Sequence, residues 1–155
     1  MAGSPNSDAT PREGAHSDGL HAVVFPSESA PVFARGPGTA TSPAVSTDLP
    51  GASFFNGCTT ISPGTSIPPH IHNCEEAILI VAGTPTFVFG DEERVLAVGD
   101  VTWCPADAPH CFRNDGDTAV RIFWTYFSPT PTRTIVATGK TFPIGSAADY
   151  AKRPR

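Results

Sequence analysis

The sequence predicts an all-β domain, and three observations support this prediction. The 155-residue chain contains 17 prolines and 14 glycines, residue types that interrupt helices and mark turns. Between residues 51 and 142, short segments rich in β-branched and aromatic residues alternate with turn signals such as Ser62-Pro63-Gly64. No helical periodicity lies between these segments. Short strands at this spacing are typical of a sandwich or barrel, and the length suits one domain.

The elements follow in order. Residues 1–20 are rich in Ser, Gly, Pro, Asp and Thr and are predicted to be disordered, because they cannot bury enough apolar surface. A single domain is predicted over residues 21–155, with its barrel core at about 51–142. Weak strand signals lie at His21–Phe25 and Pro31–Arg35, and residues 36–50 are predicted to form a loop. The core strands are predicted at Ser53–Ile61, Pro69–Asn73, Glu76–Ala82, Pro85–Phe89, Glu93–Ala97, Val101–Cys104, His110–Asn114, Ala119–Phe127 and Arg133–Ala137. Residues 145–155 are expected to form one short helix or to fray.

Charge and hydropathy exclude several classes of partner. The net charge of −5 offers no basic patch for nucleic acid. The longest apolar run, Ala77–Ala82, is far shorter than the roughly 20 residues that span a bilayer. The N-terminus lacks the basic and apolar regions of a signal peptide, and the four cysteines form no CxxC pair. We therefore expect a cytoplasmic protein with free thiols and neither a nucleic-acid nor a membrane partner.

The functional prediction depends on a pair of histidines in the segment His70-Ile71-His72. Residues i and i+2 of a strand point to the same face, so both imidazoles can converge on one point. Glu76 opens the next predicted strand, and His110 begins another that could pair nearby. Three imidazoles and one carboxylate favour a divalent first-row metal such as Fe, Ni, Cu, Zn or Mn over Ca or Mg. The alternative interpretation is that His70 and His72 lie on an exposed strand edge and share no function, which is the simpler explanation for an isolated His-x-His pair.

The spacing around these residues is specific. The first segment reads Gly64-x5-His70-Ile71-His72-x3-Glu76-x6-Gly83, and the second reads Gly99-x5-Pro105-Ala106-Asp107-x2-His110-x3-Asn114. These segments resemble the two signature motifs of the cupin superfamily. The sequence departs from the family pattern at Asp107, where the pattern has Gly. That position is expected to need a left-handed turn, which Asp tolerates better than most residues.

The resemblance implies a small double-stranded β-helix (jelly-roll) barrel, usually dimeric, with a metal inside. The implied ligands are His70, His72, Glu76 and His110. Glu75 is the alternative to Glu76, but the spacing favours Glu76. The metal is expected to be Fe²⁺, with Zn²⁺, Ni²⁺ or Mn²⁺ as alternatives.

Alternate residues of several strands should line the barrel around the metal. Taken singly, each aromatic is more simply a core residue, but together they indicate an apolar pocket. The predicted pocket residues are Phe54, Ile78, Ile80, Phe87, Trp103, Phe112, Trp124 and Tyr126. Arg113 is expected to face outward, and Cys74 and Cys111, which flank ligand positions, are interpreted as structural thiols.

The sequence is compatible with three functions. The first is a mononuclear non-haem dioxygenase that acts on a small, largely apolar or aromatic substrate, with Glu76 as catalytic base. The second is a redox-neutral cyclase, isomerase or decarboxylase of polyketide-type metabolism. The third is a non-catalytic module that binds a small ligand. The sequence does not identify the substrate, because one fold hosts many reactions.

Overall fold

The structure is a computed structural model that describes residues 12–15 and 21–150. Strands, and no helices, form its regular elements over these residues, so the all-β prediction is confirmed. No helix within these ranges is long and apolar enough to cross a bilayer. The strands are β1 (Arg12–Ala15), β2 (His21–Val24), β3 (Phe33–Gly36), β4 (Thr39–Pro43), β5 (Phe55–Ile61), β6 (Ser66–His72), β7 (Glu76–Ala82), β8 (Thr86–Phe89), β9 (Glu92–Val95), β10 (Val101–Cys104), β11 (His110–Arg113), β12 (Val120–Tyr126), β13 (Thr132–Ile135) and β14 (Thr141–Pro143).

The chain separates into two compact units, residues 1–31 and 32–155. In the first unit β1 pairs with β2 in an antiparallel hairpin, with Arg12 opposite Val24. Strand β1 lies within the segment 1–20 that is predicted to be disordered, and the disorder of that segment stays a prediction. Residues 1–11 and 16–20 lie outside the described residues.

The second unit contains two six-stranded antiparallel sheets that form the jelly roll. Their strand orders are β10-β7-β12-β5-β4-β3 and β14-β13-β6-β11-β8-β9. Burial alternates residue by residue along β5 and β12, as expected when one face of each strand packs into the core. The buried apolar residues form one cluster. Its largest fully buried members include Phe112, Ile61, Ile80 and Ile122.

Two parts of the chain differ from the predicted elements. The predicted loop 36–50 contains β4, which pairs with β5 through Thr39 opposite Ile61. This strand escaped prediction because its buried positions are small and polar: the Thr41 hydroxyl donates to the carbonyl of Cys58 at 3.1 Å. At the other end, residues 145–150 form turns rather than a helix. Residues 151–155 are outside the described part of the chain.

The turn before β11 has the conformation that the motif predicts. Asp107 has a φ of 62°, in the left-handed region that glycine adopts at no steric cost. Its backbone N–H donates to the carbonyl of His72 at 2.8 Å. The turn is therefore attached directly to the strand that carries two of the predicted ligands.

Candidate metal centre

Three strands bring the four predicted ligands together. His70 and His72 lie two residues apart on β6 and are both buried, and Glu76 begins β7. His110 begins β11 and is the cross-strand partner of His70. One ligand atom from each of the four residues lies within 4.8 Å of the others. The structure thus places in one buried cluster the four residues that the motifs select.

Each imidazole is oriented by a backbone carbonyl. Nδ1 of His70 contacts the carbonyl oxygen of Pro68 at 2.7 Å, Nδ1 of His72 that of Thr132 at 2.8 Å, and Nδ1 of His110 that of Ala108 at 2.9 Å. A carbonyl oxygen can only accept, so each Nδ1 carries a proton. In the neutral tautomer the lone pair of each ring is then on Nε2. Metal-binding histidines commonly donate their other ring N–H to a carbonyl oxygen in this way.

The atoms that face one another in the cluster fit a divalent transition metal. Glu76 Oε2 lies 2.7 Å from His110 Nε2 and 3.6 Å from His72 Nε2. His72 Nε2 is buried and has no hydrogen-bond partner. An unpartnered buried nitrogen is costly, and a metal ion would satisfy it. Three imidazoles and a carboxylate form the donor set that ions such as Fe²⁺ and Zn²⁺ accept.

The electrostatics of the cluster divide its histidines into two kinds. Burial, with the neighbouring His72 and His110, lowers the pKa of His70 well below its usual value. Burial also lowers the pKa of His110, but hydrogen bonds with Cys104 and Glu76 outweigh it and raise the pKa to about 10. Burial opposes ionisation of Glu76, yet the hydrogen bond from His110 and the charge of His72 lower its pKa. Without a metal, Glu76 and His110 therefore form an ion pair.

Cys104, for which the sequence predicts no role, lies beside the cluster. Cys104 is 1% exposed and is the cross-strand partner of Glu76 in the β10–β7 pair, and its thiol hydrogen-bonds with His110. The predicted neighbours Cys74 and Cys111 are also buried free thiols. The pairing of β10 with β7 brings Cys104 next to Glu76, and this pairing cannot be read from the sequence.

Most of the predicted pocket residues lie in the core around this cluster. The Tyr126 ring lies 4.5 Å from the ring of His72, and its hydroxyl hydrogen-bonds with Glu76. Phe87, which is partly buried, packs 5.0 Å from Phe112 and 6.5 Å from His110, measured between ring centroids. The other predicted pocket residues that the structure buries are Ile78, Ile80 and Trp124.

Two predicted pocket residues do not face the interior. Trp103 is 58% exposed because its cross-strand partner is Ala77, which alternates with the inward-facing Glu76. Phe54 is 36% exposed, since the inward alternation of β5 begins at the next residue, Phe55. The assignment of Phe54 and Trp103 to the substrate pocket stays a prediction, and Trp103 lines a separate cavity of about 160 Å³ with Phe87.

A second buried charged group was not predicted. Asp149 bridges two arginines: its Oδ2 is 2.7 Å from Arg35 Nη2 and its Oδ1 is 2.7 Å from Arg133 Nη2. The Asp149 side chain is fully buried and both arginine side chains are 7% exposed. These three residues line a cavity of about 290 Å³. Each arginine lies at one end of a predicted strand, but residue order does not indicate that both arginines contact Asp149.

Comparison with known proteins agrees with this fold and site. Residues 57–126 match the family model described as a cupin domain. This segment holds all four clustered residues and both motifs. The protein is therefore a jelly-roll protein with a candidate metal centre, and its residues 57–126 are similar to a cupin domain.

Solved structures with the same fold carry several activities. A sugar phosphate isomerase from Silicibacter pomeroyi is 19% identical with a TM-score of 0.62, and the match covers 80% of this chain and 87% of that one. An oxalate oxidase is 22% identical with a TM-score of 0.58, covering 64% of this chain and 55% of that one. A mutant of oxalate decarboxylase from Bacillus subtilis is 18% identical with a TM-score of 0.61, covering 67% and 29%. The match thus spans about half of the oxalate oxidase chain. No curated protein sequence matches.

Proposed function

We propose that this cupin is a mononuclear metal-dependent enzyme that acts on a small organic molecule, and that its reaction is a dioxygenation. The observation that carries the proposal is the buried cluster of three histidines and Glu76, with its rings fixed by backbone carbonyls and one ring nitrogen unpartnered. Such preorganisation supports a catalytic centre, because reactive groups must be held in place before substrate arrives. The enzymes among the structurally similar proteins make catalysis plausible but do not identify the reaction.

The residues of the cluster have distinct roles in this proposal. His70, His72, His110 and Glu76 would hold the ion, preferably Fe²⁺, with Zn²⁺, Ni²⁺ or Mn²⁺ as alternatives. A bound ion of this class supplies Lewis acidity and, as Fe²⁺, the activation of dioxygen. Glu76 is suited to act as the catalytic base, because its carboxylate is the charged form and could leave the ion to accept a proton. Tyr126 positions Glu76 through its hydroxyl.

The surroundings of the cluster support a substrate with an apolar part. Tyr126, Phe112, Phe87 and the buried isoleucines enclose the metal ligands. An apolar wall excludes water and favours the ring or hydrocarbon portion of an organic molecule. This is the basis for a largely apolar or aromatic substrate.

A redox-neutral reaction is the second candidate, and the buried, ionised carboxylate of Glu76 supports it. Glu76 could move a proton within a cyclisation, isomerisation or decarboxylation of polyketide-type metabolism, while an ion held by the histidines would supply Lewis acidity. The third candidate is a module that binds a small ligand without turnover. The fixed, complete donor set weighs against it, because a simple binding protein has no need of four converging metal ligands.

The test is metal content followed by oxygen consumption. Protein purified without a His-tag is analysed by mass spectrometry for bound metal, then loaded anaerobically with Fe²⁺ and mixed with aromatic and diketone substrates. Near-stoichiometric metal and substrate-dependent oxygen uptake, lost in His110→Ala, are the expected result. Bound metal with product formation but no oxygen uptake would replace dioxygenation by redox-neutral chemistry. Saturable binding of substrate without turnover, or no metal, would reject the enzyme in favour of the binding module.

We also propose that the protein forms a homodimer. Outward-facing apolar residues on neighbouring strands β7 and β10 support this: Leu79 and Val81 are 39% and 40% exposed, and Val101 and Trp103 are 65% and 58% exposed. Contiguous apolar patches of this kind commonly mark protein interfaces. Light scattering at micromolar concentration should give the dimer mass, and Trp103→Glu should give the monomer. A monomer mass for the unmodified protein would contradict the proposal.

A further inference from the structure

We infer that the cavity lined by Arg35, Arg133 and Asp149 binds a carboxylate group, and that the ligand is a small organic acid. The two arginines belong to different sheets, Arg35 to β3 and Arg133 to β13. The cavity has a volume of about 290 Å³, at the lower end of the roughly 300–1,000 Å³ that is usual for ligand pockets. A ligand that fits it is therefore small.

The charges that line the cavity are not balanced. Among the lining residues, two guanidinium groups face one carboxylate, that of Asp149. Asp149 is the central partner, since it also accepts from the backbone N–H of Gly145 at 3.2 Å. One positive charge in excess, away from water, is costly unless an anion offsets it. A monocarboxylate would supply the missing negative charge.

Unused hydrogen-bond donors point to the same kind of ligand. Nε of Arg35 and Nε of Arg133 are buried without a partner. Buried donors are nearly always satisfied in folded proteins, and a carboxylate is the group that arginine N–H donors bind best, in a planar two-point contact. A purely structural role, in which both arginines hold Asp149, would leave the two Nε–H donors unsatisfied beside the open volume.

The remaining walls of the cavity describe the rest of the ligand. Ile135, Phe142 and Tyr150 are apolar or aromatic lining residues, and Tyr150 stacks on Phe33 with ring centroids 4.2 Å apart. Such walls suit a ring or a short hydrocarbon attached to the carboxylate. Benzoate has this chemistry and serves as the probe.

The cavity is connected to the metal cluster by paired strands and one shared side chain. Arg133 is the cross-strand partner of His72, and Ile135 that of His70. Tyr126 hydrogen-bonds with both Glu76 and Arg35. A carboxylate held by the arginines would therefore belong to a molecule bound close to the metal ligands. The identification of this acid as the substrate rests on the proposed function, whereas the binding of a carboxylate does not.

The test uses the full chain, stripped of metal with a chelator, so that its outcome does not depend on catalysis. Benzoate and its uncharged counterpart benzamide are titrated while nitrogen–proton NMR spectra record the Nε–H signals of the arginines. We expect benzoate to shift the signals of Arg35 and Arg133 and to bind at least tenfold more tightly than benzamide. The signal of the exposed Arg113 should not move.

Three variants separate a binding site from a structural ion pair. Asp149→Asn keeps the size and an acceptor oxygen but removes the competing charge, so benzoate should bind about tenfold more tightly. Arg35→Gln should lower the affinity for benzoate at least tenfold, and Arg113→Gln, the surface control, should leave this affinity unchanged.

Equal binding of benzoate and benzamide, or no gain of benzoate affinity in Asp149→Asn, would overturn the inference. Tighter binding of inorganic phosphate than of benzoate would overturn the carboxylate class. If the carboxylate result fails while metal-dependent turnover of a neutral substrate is observed, the proposed function stands without this inference.

Discussion

The metal cluster and the arginine cavity are two buried polar sites in one barrel, built on opposite principles. The cluster uses neutral or titratable rings, each held by a backbone carbonyl, and its donor atoms converge on a point that suits a cation. The cavity uses permanently charged side chains held by another side chain, and its excess positive charge suits an anion. The difference shows that burial alone does not define a site. What defines it is the sign of the charge that its unpartnered atoms require.

The comparison predicts, first, that metal binding at the cluster can be abolished without loss of benzoate binding in the cavity. His70→Ala or His110→Ala should abolish tight metal binding, because each removes one of four ligands, and should leave the barrel folded and able to bind benzoate. Metal content by mass spectrometry and circular dichroism measure the two effects. Arg94→Gln, at an exposed position on β9, is the control. A full equivalent of tightly bound metal in both cluster variants would refute the assignment of the site.

Second, the sites should differ in their response to pH. In the metal-free protein the pKa of His110 is raised to about 10, so His110 is protonated at neutral pH and must lose a proton to bind a metal. Metal affinity should therefore rise about tenfold per pH unit between pH 7 and 9, as release of one proton requires. His70, whose pKa is lowered, is already neutral there and adds nothing to the slope.

Arginine does not titrate in this range, so benzoate affinity should stay constant over the same interval. Competition with a chelator of known affinity measures the metal arm of this experiment, with the affinity of the chelator corrected for pH. Metal affinity that does not change from pH 7 to 9 would contradict the ion pair between His110 and Glu76.

Third, and smallest in effect, the two kinds of arginine should differ in their contribution to stability. Arg133→Gln should lower the free energy of unfolding by about 3 kcal/mol, because it leaves a buried carboxylate with one partner fewer. Arg113→Gln is the matched control: Arg113 also pairs with carboxylates, those of Glu93 and Asp115, but on the exposed surface. Its loss should change stability little, because water solvates such pairs. Urea denaturation of the metal-free variants measures both. Equal losses would show that Arg133 is no more buried in solution than Arg113.

The sequence was sufficient for the metal cluster because its ligands come from two short motifs with fixed spacing. His70 and His72 share a strand face, and Asp107 has the left-handed turn that the pattern requires. Strand alternation also placed Ile78 and Ile80 correctly on the face of Glu76. These inferences depend on local geometry, which residue order determines directly.

The arginine cavity could not be predicted because it depends on contacts between distant parts of the chain. Arg35 and Asp149 are 114 positions apart, and Arg133, the second partner of Asp149, lies in the other sheet from Arg35. The outward position of Trp103 could not be predicted for a related reason. Without the register between β10 and β7, the sequence does not show which face of a short strand points inward. Strand β4 was missed because threonines fill its inward positions.

The hydrogen bonds that orient the three imidazoles have a consequence for how this protein can change over time. Their acceptors are main-chain carbonyls of Pro68, Thr132 and Ala108, and no single substitution deletes a main-chain oxygen. The lining of the barrel can therefore vary, residue by residue, while the tautomers of the three imidazoles stay the same. A protein built in this way can change the walls around its candidate metal centre without reorienting the rings that form it.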